Sequence, residues 1–66
     1  MSPFIQRCLD ASTDACHKAG ITEARFLGMT DDELRRDLAD HTGTEFCLIN
    51  EAWWYLFCTS QVQDAS

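Results

Sequence analysis

Four cysteines, two histidines and eleven carboxylates are the groups in this chain that could do chemistry. The cysteines are Cys8, Cys16, Cys47 and Cys58, and no pair has the C-x-x-C spacing of a zinc knuckle or a thioredoxin-type redox site. Cys16 has His17 beside it, but neighbouring helical residues point about 100° apart and cannot form a nucleophile–base dyad. His41 and Cys47 could meet only across the turn at 42–44, and no motif supports that contact. Acid–base catalysis by paired carboxylates needs two of them in unlike environments within a cleft. A chain of 66 residues buries only about 60% of its unfolded surface and has little room for one. The reading is therefore a protein that is not an enzyme, with no metal site and no cofactor. Two cysteine pairs separated by eight and by eleven positions are mismatched as staples between two helices, so reduced thiols are expected, with Cys8 and Cys16 as small core residues.

The carboxylates have a pattern. The net charge is −6, and residues 31–45 hold two thirds of it: Asp31, Asp32, Glu33, Asp37, Asp40 and Glu45 against Arg35 and Arg36. A helical wheel puts Asp32, Glu33, Asp37 and Asp40 on one outer face. Part of this serves the helix itself, since acids in a first turn suit the dipole, and Asp31–Arg35 and Asp32–Arg36 have the favoured i,i+4 order. The rest, with Glu45, could act as a row of phosphate-like charges that docks on a Lys/Arg-rich surface. Direct nucleic-acid binding is disfavoured, because an acidic protein and phosphate repel. The expected partner is a protein.

Helices must position these residues. Ser2 can cap a first helix with Pro3 at its first position; Phe4, Ile5, Cys8, Leu9, Ser12, Ala15, Cys16 and Ala19 make its apolar stripe, Asp14–Lys18 a surface pair, and Gly20 its end. Thr22 can cap a short second helix carrying Phe26 and Leu27 and stopped by Gly28. Thr30-Asp31-Asp32-Glu33 is a capping box, Met29 and Leu34 have staple spacing, and Leu34, Leu38 and His41 are expected inward before Thr42-Gly43 ends the helix. Thr42-Gly43-Thr44-Glu45 offers another box, so a last helix is expected from near Thr44 to about Val62.

Eleven of the thirteen residues from Phe46 to Cys58 are apolar. Phe46, Ile49, Trp53, Leu56 and Phe57 form one face. Cys47, Trp54 and Cys58 form a second stripe, with Leu48, Tyr55 and Val62 beside it. A helix apolar on all sides must be surrounded: either the three other helices wrap it as a central element, leaving only Tyr55 and Glu51 to water, or part of its surface stays open. In the second case Trp54 and Tyr55 are candidates for an exposed aromatic strip that anchors a partner. The fold expected is all-α: a compact bundle of three to four short helices with a long apolar C-terminal helix, one domain over 1–62 and a frayed tail at 63–66. The run is too short for a membrane span of roughly 20 residues, and with no signal-peptide pattern the expectation is a cytoplasmic protein, monomeric or weakly dimeric.

Two resemblances add to this. Phe26-Leu27-Gly28-Met29-Thr30-Asp31-Asp32-Glu33-Leu34, then Leu38 and Gly43 before the last helix, resembles the second half of a sterile-alpha-motif domain. It implies a helical module that self-associates or serves as an adaptor. In length, acidity and lack of catalytic groups the chain also resembles the phage-encoded anti-CRISPR inhibitors of bacterial defence. That resemblance implies an inhibitor occluding the nucleic-acid-binding surface of a nucleic-acid-guided complex by DNA mimicry. Asp32, Glu33, Asp37, Asp40 and Glu45 would then be the phosphate-mimicking set.

Overall fold

A computed structural model describes residues 2–60 with their side chains and the helical backbone to Ala65. Of the tail expected to fray at 63–66, the backbone is helical through Ala65; Ser66, and the place of the Val62 side chain beside the second stripe, lie outside the residues so described. The chain is all-α, and no strand occurs among the described residues. Helix α1 spans Pro3–Ala19 and α2 spans Glu23–Leu27. Helix α3 opens as Asp31–Glu33, widens into a π-helical stretch Leu34–Asp40 and closes with one further α-helical step at 41–42. Helix α4 is Phe46–Ala65. The bundle measures 36 × 25 × 18 Å, with α4 packed chiefly on α1 and also on α2 and α3.

The helix ends follow from capping chemistry. The Ser2 hydroxyl accepts from the Ile5 N–H at 3.1 Å, with Pro3 just inside the helix. Gly20 takes φ 70° at the other end, and the Ile21 and Gly20 N–H groups bond the Cys16 and His17 carbonyls, a Schellman closure. Thr22 caps α2 through the Arg25 N–H. In the box at Thr30, the Glu33 N–H reaches the Thr30 hydroxyl oxygen at 3.3 Å, and Glu33 Oε1 accepts the Thr30 N–H at 3.1 Å. Met29 and Leu34 are both buried in the same core cluster, as staple spacing requires.

The expected second box does not form. Thr42 still belongs to α3; its hydroxyl donates back to the Leu38 carbonyl at 2.7 Å. Gly43 at φ 75° ends the helix, its N–H and that of Thr44 both bonding the Ala39 carbonyl. Helix α4 then starts at Phe46, within two residues of the expected Thr44, with the Glu45 carbonyl accepting from Leu48 and Ile49.

Cys8, Ala15, Phe26, Met29, Leu34, Leu38, Ala39, Ile49 and Ala52 form the core, with Ser12 buried among them and its hydroxyl bonded to the Leu9 carbonyl. Two inward assignments fail. Phe4 is 53% exposed, while Ile5 of the same turn takes the place beside α4, lining a groove with Trp54 and Tyr55. His41 is exposed and Ala39 takes the inner place. The cause is the π stretch: i→i+5 closure uses more residues per turn than an α-helix, so Leu34, Leu38 and Ala39 face the core and His41 lags outward.

Candidate functional site

The acid face is only partly assembled. Asp32, Asp40 and Glu45 are exposed; Glu33 and Asp37 are half-buried. Glu33 is committed to its cap: bonds from the Thr30 backbone N–H and hydroxyl hold its carboxyl below the usual carboxylate range, while Asp37 opposes the shift. Asp37 is engaged by the Arg36 guanidinium at 3.2 Å. The expected Asp31–Arg35 and Asp32–Arg36 pairs are not made, because both arginines are drawn elsewhere. Arg36 turns forward to Asp37, and Arg35 lies over the Phe46 ring, 4.3 Å from its centroid, covering a half-buried aromatic. Among the described residues the remaining ion pair is the expected Lys18–Asp14, at 3.1 Å. Asp32, Asp40 and Glu45 thus make no ion pair among the described residues. Asp40 and Glu45 are brought together with Arg35, Thr44 and Phe46 around one open hollow; Asp32, at the start of α3, does not line it.

The aromatic strip has a rigid base. The Trp53 indole N–H donates to the Phe26 carbonyl at 3.0 Å, near the C-terminal end of α2, where a helix leaves carbonyls without intrahelical partners. Phe57 stacks on Trp53 at 4.9 Å with rings 10° apart, and Trp54 meets Trp53 edge-on at 5.0 Å. Trp54 is 51% exposed, held by these contacts and open to solvent on its other face. Tyr55 is half-buried and shares a shallow groove of about 440 Å³ with Ile5, Glu51, Trp54, Cys58 and Thr59. Trp54 and Tyr55 are therefore together, on a groove that shares no lining residue with the Asp40–Glu45 hollow.

Sequence reasoning missed both the Trp53 anchor and the Arg35–Phe46 stack. The first had a signal, since a largely buried indole N–H demands an acceptor. The second had none, because Arg35 had an acid at i−4 and nothing in the chain order favours the ring.

All four cysteines carry free thiols. Burial, then the charges of Glu51 and Cys47, push the Cys8 thiol up; burial and then Glu23 do the same to Cys16. Neither is an activated thiolate. Cys16 lines a hollow of about 250 Å³ with His17 and Glu23. Cys47 and Cys58 are exposed, and the Cys47 thiol lies 3.6 Å from the Glu45 carboxylate. No helix among the described residues is long and apolar enough to cross a membrane.

Compared with known proteins, the chain matches no family model, no curated protein and no solved structure.

Proposed function

We propose that this is a small acidic protein-binding inhibitor that occludes a basic, nucleic-acid-binding surface of a partner complex, in the manner of the anti-CRISPR DNA mimics. The observation that carries the reading is the state of Asp32, Asp40 and Glu45: exposed carboxylates that make no ion pair among the described residues, beside two arginines that are both turned to other uses. A carboxylate already paired has little left for a partner's lysines; these three keep their charge for docking. Asp37 and Glu33 add to the local field, but one shares its charge with Arg36 and the other is fixed by the cap. Trp54 and Tyr55 would serve as apolar anchors on a separate part of the surface. No cofactor, metal or membrane enters this function.

The test is capture from a bacterial lysate on the immobilised protein at low and high salt. The expected result is a basic nucleic-acid-binding partner, released by salt and not retained by an Asp32→Lys/Asp40→Lys/Glu45→Lys variant. Equal retention by the variant, with no salt dependence, would contradict the reading.

A second reading is a self-associating or adaptor module resembling a sterile-alpha-motif domain. Trp54 favours it, as a large exposed ring on a rigid base. The resemblance is one residue out of step at Leu38, and the π stretch Leu34–Asp40 is where an extra residue would be taken up. Size-exclusion chromatography over a concentration series tests it. A dimer or polymer abolished by Trp54→Ala supports self-association, and a monomer throughout removes it.

A further inference from the structure

From Phe46 to Cys58 the exposed residues of α4 are Cys47, Glu51, Trp54 and Cys58. Their spacings are four, three and four, which is the alternation of a heptad seam, so they form one stripe along about three turns of helix. The pattern is also a palindrome about the Ala52–Trp53 peptide. We infer that this stripe is the contact between two copies of the chain, paired antiparallel through α4 about a two-fold axis, with Cys47 of each copy facing Cys58 of the other. It gives the self-association reading a defined register and rests on that reading, while leaving the acid-face reading untouched.

Two observations select a second copy as occupant. A two-fold contact needs a surface complementary to itself, and the mirrored spacing supplies this. In an antiparallel seam each a position faces a d position, so Cys47 meets Cys58 of the partner and Glu51 meets the partner's Trp54, all four positions being used. Charge sets the strength: from Phe46 to Ser60 the only charged residue is Glu51, so the acidic segments 31–45 of the two copies stay apart, while the two Glu51 carboxylates in adjacent layers of the seam weaken the contact. Glu51 in turn finds an indole N–H donor in the partner's Trp54. Four side chains on each helix cover less than the about 800 Å² per partner of a standard interface, so the reduced dimer is weak and concentration-dependent. A disulfide-class oxidant makes it permanent. Glutathione disulfide exchanges with the Cys47 thiol, releasing one glutathione; the partner's Cys58 thiolate then attacks the mixed disulfide and releases the second. Two thiols become one interchain disulfide, and the oxidant is reduced to two thiols. Cys47 and Cys58 of one chain, about 16 Å apart along the helix, cannot bridge each other.

The experiment oxidises the full chain with glutathione disulfide and maps the disulfides by mass spectrometry. The expected product is a dimer whose Cys47–Cys58 interchain links exceed Cys47–Cys47 and Cys58–Cys58 links by roughly tenfold. Cys47→Ser and Cys58→Ser should each fail to form a covalent dimer alone, yet form one when mixed. Both replacements fall at exposed positions, so the fold is not at stake. Covalent dimers of a single variant alone, like-with-like links in the wild type, or a monomer carrying an internal Cys8–Cys47 bridge would each overturn the register. If size exclusion of the reduced protein shows a Trp54-dependent dimer while the links are like-with-like, the antiparallel register fails and self-association stands. Absence of any dimer, reduced or oxidised, removes both.

Discussion

At the scale of single residues, Thr30 and Glu33 hold the start of α3 with reciprocal bonds. Thr30→Ala removes one arm of the box and is expected to cost about 1 kcal/mol, read as a lower thermal midpoint. Glu33 links this cap to pH. Its carboxyl is depressed by the Thr30 bonds, so its contribution is complete above the ordinary carboxylate range and is lost as pH falls through the depressed folded value. Glu33→Gln keeps a residue that can close the box but does not titrate. The variant should lose less stability than the wild type on acidification below that range, as measured by midpoints across a pH series. The two tryptophans separate by the same reasoning. Trp53 is stacked and bonded to the Phe26 carbonyl, so Trp53→Ala should cost about 3 kcal/mol. Trp54 is half exposed and meets Trp53 and Phe57 edge-on without a hydrogen bond such as Trp53 makes, and Trp54→Ala should cost under about 1 kcal/mol while removing association. Chemical denaturation of the two variants side by side checks the contrast.

At the scale of elements, helix ends decide the topology. Gly20 and Gly43 sit at φ 70° and 75° where a Cβ would meet no neighbour, so replacement by Ala is penalised by backbone strain alone, at about 1 kcal/mol each. Gly28 has an ordinary αR backbone, and a Cβ there would make normal contacts at 3.6 Å and beyond. Gly28→Ala should be neutral or stabilising by up to about 1 kcal/mol. Calorimetry on the three variants would show that order. These ends were legible in the sequence because caps are local: Ser2, Thr22, Thr30 and Gly20 each act within four residues. The interior of α3 was not. A helical wheel assumes a constant 100° step, and the π stretch breaks it, so the wheel puts His41 inside where Ala39 belongs. The box at Thr42 fails because Thr42 is still helical and its hydroxyl donates to the Leu38 carbonyl. Phe4 differs for another reason: periodicity tells which side of a helix a residue is on, and says nothing of which of two adjacent apolar residues the neighbouring helix covers, here Ile5.

At the scale of the whole molecule, the excess apolar surface of the last segment and the excess charge of its predecessor could both be read from composition by segment. Their division between structural and unassigned groups could not. Glu33 and Asp37 looked equivalent to Asp32 and Asp40 on a wheel, and only side-chain partners distinguish them. Arg35 and Arg36 are what make the difference, one lying on Phe46 and the other on Asp37, because a guanidinium takes the nearest ring face or carboxylate rather than the one a helical net assigns. The protein thus presents exposed acids, Asp40 and Glu45 around one hollow with Asp32 apart from it, and an ordered aromatic strip on a separate groove. The measurement that tests this most directly is competition: a partner captured from nuclease-treated bacterial lysate, challenged with duplex DNA. If the acids occupy a nucleic-acid-binding surface, DNA displaces the wild-type protein, and the captured partner loses its own DNA binding while the protein is on it. A ternary complex, with DNA and protein held at the same time and neither weakening the other, would contradict the account.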